Sequence, residues 1–198
     1  MGSQIALNLA AVIPESIEKI IVMNSMGIRG TGIYKMDEQF KLTNQRVQTL
    51  EEAKKHPIVM VGANVIKERN FGGAYDLCVG LLFSGTTKPE KDERDLCTHE
   101  YMMCRAHEEL LFAINCFNIS KYNNEVCNGT GEIEKVKAPT LIIAGDRDLV
   151  SPIETSQEIK EALEDLAELK IYEGVGHAFC LEKKSEFIQV LKKYCLGK

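Results

Sequence analysis

Tryptophan is absent from the 198 residues, and aromatic side chains supply only 7% of them, so nothing in the composition points to a large planar ligand. Positive charge is in deficit as well. Against 29 Asp and Glu there are 24 Lys and Arg, a net charge of −5 that offers no basic face for nucleic acid. No apolar run approaches the roughly 20 residues of a membrane-spanning helix. The start lacks the basic segment, apolar stretch and small-residue cleavage site of a signal peptide. The seven cysteines are an odd count without framework spacing, which argues for reduced thiols in a cytoplasm rather than a secreted disulfide scaffold. In that compartment Asn118-Ile119-Ser120 and Asn128-Gly129-Thr130 are chance matches to a glycosylation acceptor. No internal repeat or low-complexity tract occurs.

What is present is one globular chain with 44% hydrophobic and 27% charged residues, enough for a sizeable core. Its regular elements fall at the two ends. Ser3 to Val12 is an almost wholly apolar helix stopped by Pro14, and Ile17 to Met23 is a β-branched run typical of a buried parallel strand. Thr140 to Ala144 is a second such strand. A helix is expected from Ser151-Pro152 through Leu166, with serine as N-cap and proline in the first turn, where it sacrifices no hydrogen bond. Leu169 to Tyr172 forms a third strand. Phe187, Ile188, Leu191, Tyr194 and Cys195 recur at helical spacing, so the chain closes on an amphipathic helix ending at Gly197. This alternation of strand and helix implies a parallel α/β sheet.

From about Arg29 to Gly131 the texture changes. Helical patterns, such as Thr49 to Lys55 and His99 to Phe117, are broken by glycines, Pro57, Pro89 and the charged run Lys88 to Asp95. The segment reads as a mostly helical insertion.

Two strand-end loops carry chemistry. One is Gly145-Asp146-Arg147-Asp148, directly after the apolar strand Pro139-Thr140-Leu141-Ile142-Ile143-Ala144; the other is Glu173-Gly174-Val175-Gly176-His177. A hydroxyl is a poor nucleophile at neutral pH. It needs an imidazole to take its proton, and the imidazole needs a carboxylate to fix its tautomer and steady the cation it becomes. Loops at the carboxyl edge of a parallel sheet are where such groups converge, and glycines let the backbone turn sharply there. His177 and Asp148 are the candidates, with Asp146 the competing acid.

These two motifs in this order, together with Met1-Gly2-Ser3-Gln4-Ile5-Ala6-Leu7 at the head of an apolar helix, resemble the α/β-hydrolase superfamily, and in particular its serine esterases with a helical cap. The resemblance implies the C-terminal part of that fold: residues 1–28 and 132–198 would be core, and 29–131 a cap inserted over the active site. The run Ala113-Ile114-Asn115-Cys116-Phe117-Asn118-Ile119-Ser120 looks like the end of such a cap. In the family the second acid of Gly-x-x-Asp is the catalytic one, which favours Asp148 over Asp146. The family's elbow, Gly-x-Ser-x-Gly, is matched only in its last two positions by Met1-Gly2, so the nucleophilic serine would sit immediately before Met1 and the chain would be truncated there. The backbone amide of Met1 would then contribute to the oxyanion hole. As a true N-terminus it would carry an ammonium, which opposes the helix macrodipole. The resemblance implies no cofactor and a small-molecule acyl substrate.

Other candidates are weaker. Ser25-Met26-Gly27 follows a strand, but Met23 replaces the glycine two before the serine and Ile28 to Gly32 shows no amphipathic helix. Ser3 reads as a small packing residue, as does Cys180 beside His177. Cys97, His99, Cys104 and His107 share a short stretch, yet on one continuous helix Cys97 and His107 would lie about 15 Å apart, too far to share a tetrahedral zinc. Arg69-Asn70-Phe71-Gly72-Gly73 lacks the lysine and context of a phosphate loop.

Two functions remain open. The chain is part of a cofactor-independent hydrolase of esters or related acyl bonds, inactive on its own; or it is an α/β-hydrolase remnant that has lost catalysis and persists as a binding or interaction protein. Under either reading the Ile17 to Met23 strand would present an apolar edge, so the purified chain is expected to self-associate or to pair with the segment ahead of Met1.

Overall fold

A computed structural model describes residues 1–197. The apolar opening segment forms helix α1 (Gly2–Val12), which ends ahead of Pro14, and strand β1 (Ile20–Met23) follows. Next come the strands β2 (Tyr34–Met36) and β3 (Leu42–Arg46) and five helices: α2 (Leu50–Lys54), α3 (Pro57–Lys67), α4 (Phe71–Leu82), α5 (Lys91–Met102) and α6 (His107–Cys116). The chain then returns through β4 (Thr140–Gly145), α7 (Ile153–Leu163), β5 (Ala167–Tyr172), α8 (Phe179–Glu182) and α9 (Lys184–Leu196).

The main sheet has the order β1-β4-β5, with both pairings parallel. All six residues of the central strand β4 are buried, as expected for a parallel strand covered on both faces. Side chains alternate across it. Ile20, Val22 and Ile142 face one core with Leu7, Ala10 and Ala11 of α1 and Ile159 and Leu163 of α7. Leu141 and Ile143 face the other, against Val175, Phe179 and, on α9, Phe187, Val190 and Tyr194. Leu7, Ile142, Ile143 and Ile159 are fully buried, each worth about 1.5 to 3 kcal/mol relative to exposure. The outer edge of β1 has no strand partner among the described residues.

Several boundaries differ from those read in the sequence. The first strand begins at Ile20 rather than Ile17. Ile20 donates to the carbonyl of Pro139, and proline has no N–H with which to extend the ladder further back. Ser151 is not the N-cap of α7: its N–H donates to the Asp148 carboxylate, and Pro152 takes the cap position. That helix stops at Leu163, because Glu164 adopts a left-handed φ of +48°, and β5 starts at Ala167, opposite Thr140. The expected helix from His99 to Phe117 is two helices. Met103 and Cys104 close α5 with short-range bonds to His99, Glu100 and Tyr101, and Glu108 and Glu109 favour a fresh N-terminus at α6.

Residues 29–131 are also less purely helical than their pattern implies. β2 and β3 form an antiparallel hairpin. Its turn is held by Asp37, whose carboxylate accepts from the N–H groups of Gln39 and Lys41, with Phe40 left-handed between them. Buried Asn115 ties this hairpin to α6, accepting from Ile33 N–H and donating to the Val47 carbonyl.

Candidate active site

The parallel register of β4 and β5 sets the site. Gly145 pairs with Tyr172 at the carboxyl ends of the two strands, so the loops that follow leave the same edge of the sheet side by side. Arg147 N–H then donates to the Val175 carbonyl at 2.9 Å, and Asp146 accepts from Gly174 N–H at 2.7 Å. This approach requires glycine at 145, where a Cβ would lie 2.2 Å from the Val175 oxygen.

These contacts bring Asp148 and His177 together. Asp148 Oδ2 lies 2.9 Å from His177 Nδ1, with the aspartate side chain fully buried and the histidine 26% exposed. The carboxylate is saturated by donors. Oδ1 accepts from the N–H groups of Val150 and Ser151, both at 2.8 Å, and Oδ2 also accepts from Asn24 Nδ2 at 2.8 Å. Burial pushes the Asp148 pKa up, but hydrogen bonds from His177, Ser151 and Asn24 outweigh it and hold the carboxyl below its ordinary value. The aspartate is therefore an anion at neutral pH. An imidazole that keeps its proton on Nδ1 and donates that N–H to the anion presents Nε2 as a base.

Asp146 sits two residues earlier but is exposed and spent on the Gly174 turn; it makes no bond to His177. The α1 N-terminus lies at the same end of β1: Ser3 Oγ donates to the Met23 carbonyl, and the Met1 ammonium is 4.0 Å from Met26 Sδ. Burial lowers the pKa of that ammonium. Ser25 is buried, and its hydroxyl has no hydrogen-bond partner in the described structure. Cys97 and His99 lie on α5, Cys104 falls in the break, and His107 opens α6 with its ring edge-on to Tyr101. Among the described residues no three His, Cys, Asp or Glu side chains converge as a metal site.

Sequence reasoning missed the supports of the histidine loop. The chain just beyond α4 packs on that loop so closely that a Cβ on Gly176 would meet Ser84 N at 2.6 Å. Glu182 clamps the contact, accepting from Gly176 N–H at 2.5 Å and from both the N–H and the hydroxyl of Ser84. Ala178 N–H donates to the Leu82 carbonyl, and Thr86 Oγ1 to that of Gly174. Only the Asn after an apolar strand and the Glu five residues past His177 could have signalled these partners, and neither pattern is distinctive.

Residues 118–194, a range containing both Asp148 and His177, match the model of the dienelactone hydrolase family. A non-heme haloperoxidase of Rhodococcus erythropolis is 39% identical over 51 residues, 26% of this chain and 19% of that protein. Among solved structures, MGS-M2, an α/β hydrolase enzyme from a Medee basin deep-sea metagenome library, superposes with a TM-score of 0.64 at 18% identity, over 100% of this chain and 62% of its own. A thermophilic esterase gives 0.62 at 19% identity, over 98% and 62%. The chain thus spans under two thirds of the length of these proteins. No helix among the described residues is long and apolar enough to cross a membrane. With its parallel sheet, flanking helices and these structural relatives, the chain has the fold of the α/β-hydrolase superfamily.

Proposed function

We propose that the chain is the acid–base part of a serine-type hydrolase that cleaves an ester or related acyl bond of a small molecule. One observation carries this reading: a buried, donor-saturated Asp148 bonded at 2.9 Å to a partly exposed His177 at the carboxyl edge of a parallel sheet. Asp148 orients His177 and steadies its cation. His177 Nε2 takes the proton of a serine hydroxyl as that oxygen attacks the acyl carbon, and returns it to the leaving alcohol. A water then repeats the sequence on the acyl-enzyme. The reaction needs no cofactor.

The remaining parts follow the same reading. The serine lies on a strand–turn–helix elbow directly ahead of Met1, whose backbone amide is one oxyanion donor, so residues 1–198 alone are inert toward esters. Residues 1–28 and 132–198 are core, and 29–131 are a cap whose α4 end rests on the histidine loop. The odd count of seven cysteines without framework spacing favours a cytoplasmic setting. The free edge of β1 pairs with the preceding segment or with a second copy.

Sequencing the transcript upstream of the Met1 codon tests the placement of the nucleophile. An open frame encoding an apolar strand that ends in Gly-x-Ser is expected. A stop codon directly ahead of Met1 would overturn it.

A further inference from the structure

Asn24 is the one side chain at the end of β1 that reaches both loops of the site. Its backbone N–H donates to the Ile143 carbonyl at 2.8 Å, and its φ of +47° is left-handed. From there Nδ2 donates to Asp148 Oδ2 at 2.8 Å and to the Gly176 carbonyl at 3.0 Å. One amide thus links the ends of three strands: its own β1, the aspartate loop after β4 and the histidine loop after β5. Both of its neighbours are acceptors, so the nitrogen must face them, and Oδ1 is left buried without a partner.

The consequence lies in how Asp148 shares its lone pairs. Oδ1 is occupied by two backbone N–H groups, and Oδ2 has two donors, the Asn24 amide and His177 Nδ1. The amide fills one direction at Oδ2 and leaves the other to the imidazole. Being a donor that does not titrate, it neither takes the histidine proton nor offers Asp148 a second charge. Through the Gly176 carbonyl, the same NH2 group fixes the backbone residue next to His177.

We propose that Asn24 is a positioning residue, whose amide holds Asp148 and the histidine loop in register so that His177 keeps its proton on Nδ1 and its lone pair on Nε2. This rests on the Asp148–His177 reading above.

A backbone role alone would also explain an asparagine with positive φ, since Asn and Gly are the residues that adopt it readily. Two variants separate the roles. Asn24→Gly keeps the conformation and removes the amide; Asn24→Asp keeps shape and conformation but replaces the donor with a carboxylate against Asp148. The readout is NMR of His177 in the full 198-residue chain near neutral pH: the low-field Nδ1–H proton and the ring nitrogen shifts that report the tautomer. Backbone amide signals away from the site serve as the folding check.

In the unmodified chain the Nδ1–H signal is expected, and Asp148→Asn is expected to abolish it. Both Asn24→Gly and Asn24→Asp are expected to lose the signal, or to shift His177 to a mixture of tautomers, with the remaining spectrum intact. Retention of the wild-type signal in either Asn24 variant, with its loss in Asp148→Asn, would overturn the role of Asn24 and leave the pair standing. If His177 shows no Nδ1–H tautomer and Asp148→Asn changes nothing, the pair itself fails and this proposal falls with it.

Discussion

Replacing Asp148 with asparagine keeps the shape of a fully buried side chain and removes its charge, so its effect can be worked from the four bonds that the carboxylate accepts. An asparagine can keep its single oxygen toward the N–H groups of Val150 and Ser151. Its NH2 then meets the NH2 of Asn24 and the Nδ1–H of His177. The imidazole can relieve one clash by changing tautomer, whereas Asn24, held by the Gly176 carbonyl, cannot. Hydrogen bonds to charged groups are worth about 1.5 to 3 kcal/mol each and are not additive, so the variant should lose about 2 to 4 kcal/mol at neutral pH. Asp148 titrates below its ordinary value in the folded state, so its stabilisation is complete above the unfolded pKa, near 3.9, and is lost as pH falls through the lower folded value. The gap between the two proteins should therefore be widest from pH 5 to 7 and shrink toward pH 2. Urea unfolding across that range measures it. A gap under about 0.5 kcal/mol at pH 7, or one that widens in acid, would show that these bonds to the Asp148 carboxylate do not stabilise the fold.

Three further outcomes are expected. Gly145→Ala should displace the histidine loop, because the new methyl would lie 2.2 Å from the Val175 carbonyl; a loss of about 1 to 3 kcal/mol in urea unfolding and faster exchange of the Arg147 amide are the readouts. Cys78, buried and pushed up to about 11 chiefly by burial, should be among the last thiols modified by a maleimide at neutral pH, with exposed Cys195 among the first; peptide mapping after timed labelling decides this. Isolated residues 1–198 should self-associate through the free edge of β1, so a monodisperse monomer by light scattering at tens of micromolar would count against that edge as a pairing site.

The sheet was legible because β1 and β4 are short, almost wholly apolar runs bounded by turn residues: Thr140 to Ala144 could be little else, and β4 is buried at every position, whereas β5, with Glu168 and Lys170, shows its apolar character only in part. The Asp148 and His177 loops were legible as strand-end segments, one opened by Gly145 and the other carrying Gly174 and Gly176. Their separation of 2.9 Å depends on the parallel register of β4 and β5, which no single strand encodes. The hairpin leaves no strand pattern in the sequence because β3, Leu-Thr-Asn-Gln-Arg, is polar and its fold rests on the Asp37 turn and on Asn115, far along the chain. The break between α5 and α6 was hidden by helix formers on both sides. Asn24 and Glu182 were invisible for a related reason: each acts by bonding backbone or carboxylate groups brought close only by the tertiary fold.

His177, oriented by Asp148, is proposed as the base of an acyl hydrolase. The most direct measurement is hydrolysis of short-chain p-nitrophenyl esters by the gene's natural product, with and without His177→Gln. Measurable hydrolysis is expected, falling by about 10⁴-fold or more in the variant, with KM little changed. A variant within tenfold of the unmodified protein would contradict it.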